Sequence, residues 1–322
     1  MKGWNCSLEN GEKVMRSHIA AFVIAFILPI TSVTAEEFSA ESIGAIMGVK
    51  ATTTPDGVVR VGWARKDVPV TVDGTKFKPF AGLGTWAAFL KTEHGAMVMG
   101  DTVVFQDEVN PAIDAAFANG LEVTALHNHF FFDEPKVYFM HIGGMDDPEK
   151  LAKSVKAVWD AVKKVRAANS KPATSFDGGS VDSNGSLNQE ALAKHFDVKP
   201  ASEDGIVKFT INREAEMHGS KFGGSLGLTT WAAFTGSDDH AAIDGDLAME
   251  GHEMKAVLQA LRKEKINIVA LHNHMVGEKP AYFFVHFWGK GKAGALAESF
   301  QRVLAAQKQA AASKGDGHGE DK

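Results

Sequence analysis

The chain has 322 residues, 44% of them hydrophobic and 23% charged, with a formal net charge of −6. That composition is globular and excludes collagen, coiled coil or wholesale disorder. The acidic balance, without a dense Lys/Arg cluster, speaks against a nucleic-acid partner, and the length suits two domains.

The first element is an apolar run, Ile19 to Ile30, preceded by Met15-Arg16-Ser17-His18 and followed by Ser-Val-Thr-Ala and the acidic Glu36-Glu37. A basic start, a short apolar core and small residues before a polar stretch predict a secretory signal peptide over residues 1–35, cleaved after Ala35. The run is shorter than the ~20 apolar residues of a membrane span. The processed chain is therefore expected in the periplasm or outside the cell, and not across a membrane. The single cysteine, Cys6, precedes the run, so the processed chain has no disulfide and no thiolate chemistry.

Downstream, Ser39–Met47 reads as a helix, and Val58–Trp63, Trp86–Lys91 and Ala96–Phe105 read as strands. Ala112–Asn119 reads as a helix with Pro111 in its opening turn and Asn110 or Asp107 as its cap. A strand Leu121–His129, a turn near Pro135, a strand Lys136–Ile142 and a helix from Pro148 to about Ala167 complete this half. In the second half, Gln189–His195 and Glu253–Lys263 read as helices and Ile206–Ile211 as a strand.

The two halves repeat each other. Thr85–Phe89 (TWAAF) returns at Thr230–Phe234, and Ala125–His129 (ALHNH) at Ala270–His274. Gly100-Asp101 returns at Gly245-Asp246, Glu108 at Glu253, Pro135 at Pro280 and His141 at His286, always 145 residues on. Further upstream the register slips by three, as Asp56-Gly57 answers Asp204-Gly205. A constant offset means two copies of one unit. They are placed at 36–168 and 186–308, with a Gly/Ser/Asn/Asp-rich linker at 169–185 and a disordered tail at 309–322. Neighbouring strands joined by short turns predict an α+β fold: two tandem homologous modules, mostly antiparallel sheets with flanking helices.

The chemistry-bearing residues are histidines. His127 and His129, two apart on a strand, leave the same face. A hairpin turning about residue 134 sets His127 directly opposite His141, so three imidazoles converge. The same arithmetic in the second copy gathers His272, His274 and His286. Three convergent histidines suit a divalent transition metal, zinc first, with iron, manganese or copper as alternatives. Glu108 and Glu253, near a helix start, are candidates for an oxygen ligand, a partner of a ligand, or the general base. Asp101 and Asp246 are secondary candidates for those roles. Trp86 and Trp231 are expected in the core, and Asn128 and Asn273 in structural hydrogen bonds. Phe130–Phe132 is a possible pocket lining without a counterpart in Met275-Val276-Gly277.

Glu-Val-Asn-Pro-Ala-Ile before a helix, then Val-Thr-Ala-Leu-His-Asn-His and later Phe-Met-His-Ile-Gly, resembles the LppY/LpqO family of exported bacterial proteins. The second copy departs by having Lys255-Ala256 for Asn110-Pro111. The resemblance implies an envelope location and a paired-module fold, and supplies no reaction. Two functions follow as expectations. One is an exported metal-binding protein with a three-histidine site in each module or one shared between them, whose enzymatic form is a metal-dependent hydrolase of a small molecule or cell-envelope component. The other is a non-catalytic module that binds cell wall (peptidoglycan) or protein, with structural histidines.

Overall fold

The computed structural model describes residues 38–313. The expected leader at 1–35 and the end of the expected tail lie outside the described residues. Helix α6 continues through Ser313, so the first residues read as tail are helical.

In the first copy the elements are α1 (Ala40–Met47), β1 (Ala51–Thr53), β2 (Val59–Ala64), β3 (Val70–Val72), β4 (Thr75–Phe77), β5 (Gly84–Thr92), β6 (Gly95–Phe105), α2 (Val109–Ala118), β7 (Glu122–His127), β8 (Asp133–Glu134), β9 (Val137–Asp146) and α3 (Pro148–Ala168). The second copy has α4 (Gln189–Ala193), β10 (Ala201–Glu203), β11 (Ile206–Asn212), β12 (Ala215–Met217), β13 (Ser220–Phe222), β14 (Thr229–Gly236), β15 (Ala241–Glu250), α5 (Met254–Lys263), β16 (Asn267–His272), β17 (Tyr282–Gly291) and α6 (Ala293–Ser313).

Both copies contribute to a single sheet of twelve strands in the order β1-β2-β5-β6-β9-β7-β16-β17-β15-β14-β11-β10. Every pairing in it is antiparallel. The order reads the same inward from either edge once repeat-equivalent strands are matched. The fold is thus α+β with two homologous modules, but the modules share one sheet rather than each closing its own. They meet at β7 and β16, where Leu126 pairs with Leu271, its own repeat equivalent.

Side chains alternate between the faces of the sheet. One face carries the helices. Ile113 of α2, Val155 and Trp159 of α3, Leu258 of α5 and Phe300 of α6 join Val98, Met140, Ile142, Ile243 and Phe287 in a core spanning both modules. The other face is covered at its two ends by short strands. There β3, β4 and β8 lie over Val103, Phe105, Val137 and Phe139, while the hairpin of β12 and β13 leads to a smaller cluster around Ala248, Tyr282 and Phe284. The middle of this second face, around the seam, is where the histidines stand.

Two repeated motifs now have physical reasons. The β5–β6 and β14–β15 pairings stop at Trp86↔Asp101 and Trp231↔Asp246. The Thr85 hydroxyl then accepts from the Val103 N–H at 3.0 Å, and the Thr230 hydroxyl accepts from Ala248 N–H at 3.0 Å. A Cβ at Gly245 would lie 2.2 Å from the Trp231 carbonyl oxygen, and one at Gly100 3.0 Å from that of Trp86. The small residue before each aspartate is a packing requirement.

The second-copy seam residues differ from the first. Asn110 was expected as a cap of α2, with Asp107 as the alternative. The N-cap is instead Glu108, without a side-chain capping bond. Asp107 pairs with Arg166 and accepts from the Ala173 N–H. Asn110, 5% exposed, reaches across the seam: its Oδ1 accepts from Ile268 N–H at 2.9 Å and its Nδ2 donates to the Ile268 carbonyl at 3.4 Å. Lys255 occupies the equivalent position and is exposed. Arg262 on α5 adds a forked ion pair to Asp114 on α2, at 2.7 and 3.0 Å.

Candidate metal centre

A row of paired residues builds each centre. Asp101 on β6 lies opposite His141 on β9, and His141 lies opposite Ala125 on β7. In the second copy Asp246 lies opposite His286, and His286 opposite Ala270. The expected direct pairing of His127 with His141 is therefore corrected. His127 faces Phe139, and His272 faces Phe284. The register differs because the connections centre about residues 133 and 278, one residue earlier than assumed, as the pairs His127↔Phe139 and His272↔Phe284 show; the irregularities between Val123 and Ala125 and between Ile268 and Ala270 lie beyond the histidines. The turn segment also holds β8 rather than a tight hairpin. A displacement of two residues preserves the face, and diagonal neighbours on a sheet lie within reach of long side chains. The convergence survives: His127 and His141 ring centroids are 5.1 Å apart, and those of His272 and His286 4.9 Å.

His129 and His274 lie just beyond the ends of β7 and β16. The chain folds back so that the His129 ring stacks on Phe139 at 3.3 Å and the His274 ring on Phe284 at 3.5 Å. Each then sits 5.1 Å, centroid to centroid, from the central His127 or His272. The apolar floor of Phe139 and Phe284 explains why both positions two residues before a site histidine are aromatic.

The two centres differ in polar detail. In the first, the Nε2 atoms of His127 and His141 are 3.0 Å apart, the distance of a shared proton or of two donors to one guest. In the second, His274 Nε2 is 3.1 Å from Asp246 Oδ2. One ligand atom from each of Asp246, His272 and His274 falls within 4.8 Å of the others. His286 turns its Nδ1 to the Gly245 carbonyl at 3.1 Å. A ligating histidine needs such an acceptor on its second nitrogen to fix its tautomer.

Three polar atoms here are buried without a partner among the described residues: Asp101 Oδ1, Asp246 Oδ1 and His272 Nε2. Both aspartates are nearly enclosed, at 7% and 3% exposure. Leaving such groups unsatisfied is costly unless something binds them. Burial pushes the Asp101 carboxyl above the usual aspartate range, against the opposing pull of His141 and His127. Partial burial holds the His272 imidazole below its ordinary pKa, against the Asn273 carbonyl and Asp246. Neutral imidazole is the metal-binding form.

Glu108 and Glu253 stand in different surroundings. Each is fully buried. Arg65 grips Glu108 with two hydrogen bonds at 2.7 and 2.9 Å, the Phe105 N–H adds a third at 2.8 Å, and the Arg166 guanidinium makes an ion pair with it at 2.8 Å. Glu253 accepts from Arg213, Gln307 and the Glu250 N–H. Their oxygens are occupied by fixed donors, and the carboxylates that line up with the histidines are Asp101 and Asp246. The sequence reading passed over Arg65 and Arg213. A signal existed: they are 148 residues apart, the same slipped offset that relates Asp56-Gly57 to Asp204-Gly205.

The remaining positions fall into place around the centres. Trp86 and Trp231 are half-buried on the histidine face rather than in the core, with Arg60 over the Trp86 ring at 4.7 Å and the Lys208 ammonium over Trp231 at 4.0 Å. Asn128 and Asn273 donate to the carbonyls of Phe130 and Met275, both at 2.9 Å. Phe130, Phe131 and Phe132 line a shallow cleft with Asn128 and Tyr138. No helix among the described residues is long and apolar enough to cross a membrane.

A family model described as "Domain of Unknown Function (DUF1259)" matches residues 41–161 and again 190–306, and the chain belongs to that family. No curated protein matches the chain. Among solved structures, EtuB from Clostridium kluyveri is similar at 10% identity and a TM-score of 0.21, covering 82% of this chain and 92% of that one. The trimeric bacterial microcompartment shell protein PduB is similar at 11% identity and a TM-score of 0.20, covering 84% of this chain and 94% of that one. The double-ringed trimeric shell protein MSM0271 from the RMM microcompartment is similar at 12% identity and a TM-score of 0.18, with coverages of 70% and 86%. Scores this low carry no argument about architecture or activity.

Proposed function

We propose that this two-module chain binds a divalent first-row transition metal on the seam face of its sheet. In module two the ligands are Asp246, His272 and His274, with His286 beside them. In module one they are the equivalent Asp101, His127, His129 and His141. The observation that carries the reading is the clustering of one oxygen and two ring nitrogens within 4.8 Å, two of whose residues hold a buried atom without a partner. Two histidines and a carboxylate give an N/O set that suits zinc or iron, with manganese or copper as lesser fits, and leave coordination positions open.

An open position on such an ion lowers the pKa of bound water and makes it a nucleophile at neutral pH. That is the basis for reading the chain as a metal-dependent hydrolase. With Asp101 and Asp246 assigned as ligands and Glu108 and Glu253 held by arginines, the proton of such a water would pass to solvent. The apolar run before Ala35 and the LppY/LpqO-like motifs support an exported protein of the cell envelope, acting on a small molecule or an envelope component.

A second reading is favoured by the stacking of His129 on Phe139 and of His274 on Phe284, an arrangement that packing alone sustains. It makes the chain a non-catalytic module for peptidoglycan or a protein partner. Metal analysis separates the two. The untagged chain, purified without chelator and analysed by mass spectrometry, is expected to carry a transition metal that falls when His272→Ala and His127→Ala are combined. Near-zero metal in both parent and variant rejects the metal reading.

A further inference from the structure

Beside the second centre lies a cleft of about 400 Å³, lined by Asp244, Val269, His286, Trp288 and Phe176. Asp244 on β15 pairs directly with Trp288 on β17, which sets the two side chains next to each other on the histidine face. The 145-residue offset gives Met99 and Gly143 at these positions in module one, so neither the acid nor the ring is there.

The outer wall comes from the stretch read as a linker. Residues 169–186 run as a strap from module one onto module two and are tied to both. Lys290 Nζ donates to the Phe176 carbonyl at 3.0 Å and to the Gly179 carbonyl at 2.6 Å. His240 Nε2 meets the Gly178 carbonyl at 3.1 Å, and Ala173 N–H donates to Asp107. These ties hold Phe176 against the cleft, with 39% of its surface exposed.

The Asp244 carboxylate is half-buried; it meets its own backbone N–H and, among the described residues, makes no ion pair. The nearby Lys208 is engaged elsewhere, on the face of Trp231. A half-buried carboxylate in the cleft wall gains from a positive guest. Two aromatic faces select what kind: a cation with apolar flanks, attracted by ring quadrupoles, rather than a small hydrated metal ion that demands several oxygens. We propose that this cleft binds an organic ammonium ion, with its charge on Asp244 and its alkyl surface against Trp288 and Phe176. The cleft stands whether or not the neighbouring centre holds a metal.

Choline chloride is the probe, titrated into the full chain and followed by calorimetry and tryptophan fluorescence, with sodium chloride at matched ionic strength as the blank. The account expects saturable binding in both metal-loaded and chelator-treated protein. Asp244→Asn and Trp288→Ala are each expected to weaken it about tenfold, with Phe176→Ala in the same direction and Met99→Ala without effect. Circular dichroism identifies a variant that fails to fold, and the Asp244→Asn substitution, nearly isosteric, then decides. No saturable binding, binding indifferent to Asp244→Asn, or binding that disappears with the metal overturns the proposal. So does saturable binding of N-acetylglucosamine, a neutral sugar, in place of choline. Loss of metal binding with choline binding intact would reject only the metal reading.

Discussion

Leu126 on β7 pairs with Leu271 on β16, and each is the repeat equivalent of the other. An antiparallel pairing of equivalent residues places a pseudo-twofold axis through the pair, normal to the sheet, as in an isologous dimer interface. Both leucines are buried in the core that spans the modules. The seam joins two sheets of six strands into one and brings both histidine sets to the middle of a single face.

Symmetry at the seam is broken by Asn110. Its two bonds to the Ile268 backbone are buried, and truncation leaves that strand's N–H and C=O without partners. Asn110→Ala is expected to cost about 1–3 kcal/mol, while Lys255→Ala at the equivalent exposed position changes stability by about 0.5 kcal/mol or less. Denaturant unfolding of the two variants checks this, and equal effects would refute the role given to Asn110.

The glutamates make a sharper test. Glu253→Gln disturbs the bonds to Arg213 and Gln307 and should lower stability while leaving the metal content of the folded protein unchanged. Asp246→Asn removes a proposed ligand and should lower metal content several-fold. Metal analysis of the folded fraction of each variant distinguishes them, and the reverse pattern would return the glutamates to the site.

Arg65 is fully buried, and its guanidinium spans Glu108 and Asp67. Arg65→Ala leaves buried carboxylate charge with fewer partners, at a cost of about 3–5 kcal/mol. Arg65→Lys rescues little of this, since an ammonium cannot reproduce the forked geometry. Chemical denaturation of the pair reads out both effects.

The metal-free chain should lose stability on the acid side through His272. Its pKa is depressed in the folded state, so the unfolded chain takes up that proton first. The contribution is complete above the unfolded value of about 6.5 and is lost as pH falls through the folded pKa. Thermal unfolding of the metal-free protein between pH 7 and 5 should be flatter for His272→Gln than for the parent, and parallel profiles would contradict it.

Much of this arrangement was legible in the sequence. Period-2 and helical spacing located the long strands β5, β6, β7 and β9 and the helix α3 to within a few residues, because their buried faces are continuous. The 145-residue repeat announced two modules. That they share one sheet was not legible, since nothing in Leu126 or Leu271 distinguishes a seam residue from any core leucine. The short strands β3, β4, β8, β12 and β13 escaped because two or three residues carry no period. The histidine set was found through an incorrect register, and the convergence held because an error of two residues keeps the face. The aspartates were undervalued because their alignment with His141 and His286 depends on strand order, which local pattern does not give. Glu108 and Glu253 were overvalued because a repeated carboxylate looks the same whether it faces a metal or a buried arginine.

The most direct test of the metal centre is anomalous diffraction from crystals of the full chain grown with zinc, with data collected on both sides of the zinc edge. The account predicts a peak about 2.0–2.2 Å from an Asp246 carboxylate oxygen and from ring nitrogens of His272 and His274. Zinc elsewhere on the surface, with the space among these three side chains featureless, would contradict it.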